Sequence, residues 1–143
     1  MTRVVVDASV CVKWFLPEQD SDAASRYMDA EYSRQVPDIL YPEIGNVFWK
    51  RARRGDMSEE RALTGFAELL EVPFHVHEHM TLMPRALEIA FETGRSVYDS
   101  LYLSLAESQE CVLVTADEKL YNSLKGGPYG MRLAWVRDGF DTK

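Results

Sequence analysis

Three valines run into an aspartate at "VVVD", residues 4–7, and "CVLVTAD", residues 111–117, repeats the pattern. Neither run alternates apolar with polar positions, so both predict strands buried on two faces, as in a parallel sheet. Elsewhere the period is helical. The residues after Asp7 read as a short helix, and "SDAASRYMDA" spaces Ala23, Ala24, Tyr27 and Met28 for another, with Asp20 or Ser21 as its cap. "YPEIGNVFWKRARRG" predicts a helix with Pro42 near its start and Gly55 at its stop. "SEERALTGFAELLE" puts Leu63, Phe66 and Leu70 on one face and acids in its first turn. "PRALEIAFETG", "SVYDSLYLSLAESQE" and "EKLYNSL" are three more helices. "RQVPDIL", the alternating "PFHVHEHM" and "RLAWV", after the loop "KGGPYG", supply the remaining strands. Strands alternating with helices predict an α/β fold, a three-layered α/β/α sandwich on a mainly parallel central sheet.

Length and composition bound this picture. A chain of 143 residues, without repeats or a long linker, predicts one domain over 1–143 with a core that needs no staples. No apolar run has the length to span a bilayer, and a single Arg3 before a strand lacks the layout of a signal peptide, so the expected location is the cytoplasm. Cys11 and Cys111 lie inside apolar elements and read as reduced core thiols; two cysteines without a nearby histidine make no zinc site. A formal charge of −7 argues against holding nucleic acid by bulk electrostatics and leaves room for an acidic metal site.

The map locates four acids. Asp7 and Asp117 each end a buried strand, where α/β sheets keep their ligand crevice. Glu43, after Pro42, and Asp99, three residues after Ser96, each stand in the first turn of a helix. Each has a purely structural alternative. Asp7 and Asp117 suit turns and N-caps, Glu43 suits a helix dipole, and Ser96 with Asp99 has the spacing of a capping box. Those roles leave Asp99 unexplained, because Tyr102, Leu103 and Ala106 share its face and no cation is spaced to serve it within the helix. Two carboxylates about 5 Å apart repel by roughly 3 kcal/mol at an effective dielectric constant near 20, so a crowded set calls for protons or a divalent cation. Ligands that are oxygen only select magnesium or manganese, which commonly works with substrate phosphate oxygens.

"VVVDAS", "PEIGNV", "SVYDSLYLSLA" and "LVTADEKL", in this order over nearly the whole chain, resemble the PIN domain, most closely the VapC-type toxins of prokaryotic toxin–antitoxin pairs. The resemblance implies that Asp7, Glu43, Asp99 and Asp117 form the acidic pocket of an endoribonuclease dependent on Mg2+ or Mn2+. Asp7 and Asp99 would be the principal ligands. Ser9, Asn46 and Thr115 match polar positions that orient the carboxylates, although as isolated residues Ser9 and Thr115 also suit turns or caps. An RNA substrate, a cognate antitoxin protein and a homodimer are the implied partners.

The motifs contain no serine, cysteine or histidine nucleophile, so hydrolysis would use a water activated by the ion, leaving a 5′-phosphate and a 3′-OH. Lys50, Arg51, Arg53 and Arg54 form the one basic cluster, suited to phosphates, to an acidic partner or to a solvated helix end. His75, His77 and His79 are expected on one exposed face of an alternating strand, with Phe74 and Val76 inward. Trp14, Phe15, Phe48 and Trp49 are expected mainly in the core, some lining a groove for a partner. Dehalogenase-type phosphatases need a second aspartate where this chain has Ser9, and a receiver domain needs a lysine after a late strand, whereas Lys119 falls on a helix. The remaining alternatives are a binding module that keeps the acidic pocket without catalysis, and a PIN nuclease with a housekeeping role in RNA processing.

Overall fold

The structure, a computed structural model, describes residues 1–141. Its strands are β1 (Thr2–Val6), β2 (Tyr32–Pro37), β3 (His75–His77), β4 (Leu113–Thr115) and β5 (Leu133–Trp135). Its α-helices are α1 (Ala8–Val12), α2 (Ser21–Ser25), α3 (Leu40–Arg53), α4 (Glu59–Glu71), α5 (His79–Thr93), α6 (Val97–Ser108) and α7 (Glu118–Leu124). The strands form one sheet in the order β3-β2-β1-β4-β5, and every neighbouring pair is parallel. Helices flank it, which is the α/β architecture the apolar pattern predicts. Among the described residues no helix is long and apolar enough to cross a membrane.

The two strands without polar alternation are the two at the centre. Val4, Val5 and Val6 of β1 and Leu113 and Val114 of β4 are fully buried, because helices cover both faces. Register brings their ends together: Val5 pairs with Leu113 and Val6 with Val114, and the Asp7 N–H bonds the Val114 carbonyl at 3.4 Å. Of the helices, α6 has the most continuous core face, with Ser100 to Ala106 all buried. It packs on β1, β2 and β4 and leads into β4, so it ends at the edge where strands start and begins at the edge where they end.

Several boundaries differ from the sequence expectation. The helix expected across "SDAASRYMDA" is one turn of α2 continued by a 3-10 turn, Arg26–Met28; Ala24 and Tyr27 are buried while Met28 is 42% exposed. Asp20 stands at its N-cap without a side-chain cap bond. α5 begins at His79, five residues before Pro84, so "PFHVHEHM" is a strand only over β3. As a three-residue edge strand, β3 has one neighbour and little cover, and Val76 is 49% exposed instead of inward. The apolar face of α4 buries Leu69, yet Leu63 and Leu70 point to solvent.

α3 and α4 form a hairpin that crosses closely at Gly65, where a Cβ would lie 3.3 Å from the Phe48 ring. Phe15 and Phe48 are buried and Trp14 is partly so, its Nε1–H bonding the Ala24 carbonyl at 2.8 Å; Trp49 is exposed. Cys11 is buried, Cys111 half-buried, and both are free thiols.

Candidate active site at the strand ends

Asp7 is the N-cap of α1 and the most enclosed of the four acids. Its Oδ1 accepts from the Ser9 hydroxyl and from the Val10 N–H at 3.3 Å, and its Oδ2 accepts from the Thr115 hydroxyl at 2.6 Å. Among the described residues no cation touches it. Burial pushes its carboxyl up to about 7, against the lowering effect of these donors, and the charge of Asp117 adds to the rise. Asp117 caps α7 through the Leu120 N–H, at 3.1 Å. Ser9 and Thr115 also knit the two loops together: Ser9 Oγ accepts from the Ala116 N–H and Thr115 Oγ1 from the Asp117 N–H, each at 3.0 Å.

Glu43 and Asp99 make a second pair. Glu43, in the first turn of α3, accepts from the Tyr102 hydroxyl at 2.6 Å. Burial raises its carboxyl, the phenol opposes the rise, and the charge of Asp99 adds to it. Burial and the Glu43 carboxylate push the Tyr102 phenol well up, with Asp7 contributing, so Tyr102 lies within electrostatic reach of both pairs. Asp99 sits in the first turn of α6, where its N–H donates to Ser96 Oγ at 3.1 Å. Only that half of the expected capping box forms, because the Asp99 carboxylate turns to Arg95. Arg95 donates to Asp99 Oδ2 through Nε at 3.2 Å and Nη2 at 3.0 Å. The expectation that Asp99 lacks a cation is therefore corrected: its partner stands just before the helix, four residues upstream.

Asn46, three residues after Glu43, is exposed and bonds none of the acids. Tyr102 and Arg95 are the participants that sequence reasoning missed. Tyr102 reads as an apolar core position although its hydroxyl needs a partner, and Arg95 falls between two helical patterns.

The histidines do not share one face. His75 is exposed on β3, His77 Nε2 pairs with Gln35 Oε1 at 2.7 Å, and His79 begins α5, where Nδ1 pairs with Asp38 Oδ1 at 2.8 Å. Three of the four residues of the basic run are engaged by α3 and its neighbours, while Lys50 is exposed: Arg51 bonds Glu18 at 2.7 Å, Arg53 lies over the Trp49 ring, and Arg54 faces Asp56.

The four acids thus stand at one edge of the sheet, where the charge of Asp117 reaches Asp7 and that of Asp99 reaches Glu43. Among the described residues no three Asp, Glu, His or Cys side chains converge tightly enough to hold one ion by themselves. The donor chemistry nevertheless fits a hard divalent ion, which takes one or two carboxylates and completes its shell with water and phosphate oxygens. Among the described residues Asp7 is a buried acid satisfied by hydroxyl and N–H donors alone, which suits such a role.

The family model for the PIN domain matches residues 4–123. This chain belongs to the PIN domain family. Ribonuclease VapC3 of Pyrobaculum aerophilum is 33% identical over 120 residues, which cover 82% of this chain and 92% of that protein. Among solved PIN-like structures, PAE2754 from Pyrobaculum aerophilum superposes with a TM-score of 0.71 at 27% identity, over 94% of this chain and 84% of that one. VapBC2 from Rickettsia felis, solved bound to a DNA fragment from its promoter, has a TM-score of 0.64 at 12% identity, over 93% of this chain and 98% of that one. At that identity the likeness is one of fold. The matched PIN segment contains all four acids with Ser9, Arg95, Tyr102 and Thr115.

Proposed function

We propose that the chain, as one PIN domain over residues 1–143, is an endoribonuclease that hydrolyses RNA phosphodiester bonds with a divalent metal, and is the toxin of a toxin–antitoxin pair in the cytoplasm. The observation that carries this reading is the set of four acids at the strand ends of a PIN domain whose relative is a named ribonuclease. Asp7, Glu43, Asp99 and Asp117 are the proposed site, with Ser9 and Thr115 fixing the Asp7 carboxylate and Asn46 left without a role in its exposed position. Bound among these acids, magnesium or manganese would supply Lewis acidity, lowering the pKa of water and neutralising phosphoryl charge. Glu43, raised by burial and fixed by Tyr102, is the carboxylate suited to take the proton of the attacking water. Attack by water leaves a 5′-phosphate and a 3′-OH.

Two uncovered apolar surfaces support partners. One is the groove of the α3–α4 hairpin, lined by Trp49, Ala62, Leu63 and Phe66, which suits an apolar segment of an antitoxin. The other is an exposed stripe on α5, treated below as the seam of a homodimer.

The test is cleavage of labelled RNA with EDTA, then with each metal added back. Cleavage should stop with chelator, return with Mg2+ or Mn2+ and return poorly with Ca2+. RNA carrying 2′-O-methyl groups at the cut site should still be cut to a 5′-phosphate detectable by mass. A cyclic phosphate product, or cleavage in excess chelator, would overturn the chemistry; bound metal without cleavage of any RNA would favour a binding module.

A further inference from the structure

We propose that Arg95 is a phosphate-binding residue of this site: Asp99 holds its guanidinium beside the acids, and the guanidinium takes hold of the RNA backbone. The inference rests on the ribonuclease reading above.

Arg95 is fixed by the turn that carries it. Gly94 ends α5 in the left-handed conformation, at φ 74°, and its N–H bonds the Ala90 carbonyl at 2.9 Å. The Arg95 N–H donates to Thr93 Oγ1 at 3.1 Å, and that hydroxyl donates to the Ile89 carbonyl at 2.8 Å. Ser96 then caps α6. With the backbone anchored on both sides, the guanidinium reaches Asp99 through two N–H groups that converge on a single oxygen, Oδ2. Oδ1 is left without an arginine contact. A guanidinium has five N–H donors in a planar fork, and the others here have no protein partner among the described residues. That fork matches two oxygens of a phosphate.

Stability alone is a weak reason for the pair. Both side chains are about a quarter exposed, at 25% and 29%, and ion pairs of this kind contribute little. Electrostatics gives a stronger one. A phosphodiester approaching this edge meets a group of acids on a chain of net charge −7, a repulsion that a fixed cation at the site would offset alongside any bound ion. Many others are committed elsewhere: Arg51 to Glu18, Arg61 to Glu68, Arg85 to Glu92 and Glu107, Arg137 to Asp20. Among the described residues Arg95 is the one cation bonded to any of the four acids. Asp99 would thereby act twice, as a ligand through its free oxygen and as the brace of a phosphate clamp.

The test measures RNA and metal separately. A fluorescein-labelled single-stranded RNA is titrated with protein in EDTA, where it is not cut, and anisotropy is followed across a series of KCl concentrations. Arg95→Ala should weaken binding about tenfold, as loss of one charged contact does. The weakening should be similar for RNAs of different sequence, and the slope of log affinity against log salt should fall by about 0.7, one phosphate on a single strand. Arg95→Lys should recover the slope but only part of the affinity, because the charge returns without the fork. In the absence of RNA, Mn2+ binding read by calorimetry should tighten in Arg95→Ala, since a positive charge has left the acids. With Mg2+, KM for RNA should rise more than kcat falls. Unchanged RNA affinity and salt slope in Arg95→Ala, beside a wild type that does bind RNA, would make Arg95 a structural counter-ion and overturn the proposal. A wild type that neither binds nor cuts RNA would instead remove the ribonuclease reading, and the clamp with it.

Discussion

Asp7 has the least ordinary environment of the four acids: a carboxylate enclosed at the end of a buried strand with hydroxyl and N–H donors and, among the described residues, no cation. Unfolded, it loses its proton near pH 4; folded and metal-free, it keeps it to about 7. Below about pH 4 both states are protonated and Asp7 costs nothing. Between that pH and about 7 only the unfolded state ionises, so stability falls through the interval and, for this group, levels off above it. Asp7→Asn removes the charge while keeping an oxygen for the Val10 N–H and an amide that can meet Thr115. In EDTA, urea melts should therefore show the variant at least as stable as wild type at pH 8, by about 1 kcal/mol or more, with the gap closing by pH 4. Mg2+ should then stabilise the wild type and not the variant, and RNA cleavage should drop by more than about a hundredfold, beyond the usual cost of losing a supporting contact. A variant that unfolds in EDTA would make Asp7 a turn residue first. Tyr102 tests the other pair. Its hydroxyl favours the ionised form of Glu43 through a bond of 2.6 Å, so Tyr102→Phe should raise the Glu43 carboxyl and move the acidic limb of the kcat/KM profile to higher pH. The cost in rate should be about tenfold to a hundredfold, the range for a residue that orients a ligand.

At the scale of elements, the structural and the chemical roles of the acids turn out to be compatible. Asp7 caps α1 and Asp117 caps α7, yet each cap uses one oxygen, Oδ1, and the Oδ2 of Asp7 goes to the Thr115 hydroxyl at the end of the neighbouring strand. Glu43 and Asp99 likewise suit the dipoles of α3 and α6 while the charge of Asp99 still reaches Glu43. A parallel sheet makes this economical, because helix starts gather where strands end. Two substitutions at Asp117 separate the roles. Asp117→Asn keeps a good cap for α7 and should leave the urea midpoint close to wild type, whereas Asp117→Ala should cost about 1 kcal/mol. If the charge serves the site, both variants lose cleavage to a similar degree. If only the cap matters, the asparagine variant retains full activity.

For the whole molecule, the central architecture was legible where burial leaves a mark on every residue of an element. Val4–Val6 and Leu113–Val114 could not be wet on either face, the pattern of central strands in a parallel sheet, and they do pair in parallel. At the sheet's edge the same logic gives out. The short β3 has exposed His75 and Val76, so its alternation carries no information about where α5 begins and runs on through His79, which belongs to the helix. In the site, the acids were visible as types at strand ends and helix starts, but Arg95 and the Tyr102 hydroxyl act through a turn and across helices, which periodicity does not encode. Surfaces are harder still, since an apolar residue on a helix reads as core whether or not anything in the chain covers it. On α5 the structure separates the two: Leu82, Ala86 and Ile89 are buried, while Met80, Leu87 and Phe91 are 69%, 45% and 84% exposed, with exposed Pro84 between them. The exposed set recurs at four, seven and eleven residues from Met80 and so forms one stripe along the helix. A second copy of the same stripe is a self-complementary partner, as a two-fold interface requires. Leu87→Glu with Phe91→Glu should convert a dimer to a monomer in light scattering while circular dichroism is unchanged, because neither side chain supports the core of its own protomer. A wild type that is monomeric at every concentration tested would assign the stripe to a different partner, and a double variant that remains dimeric would move the seam to another face.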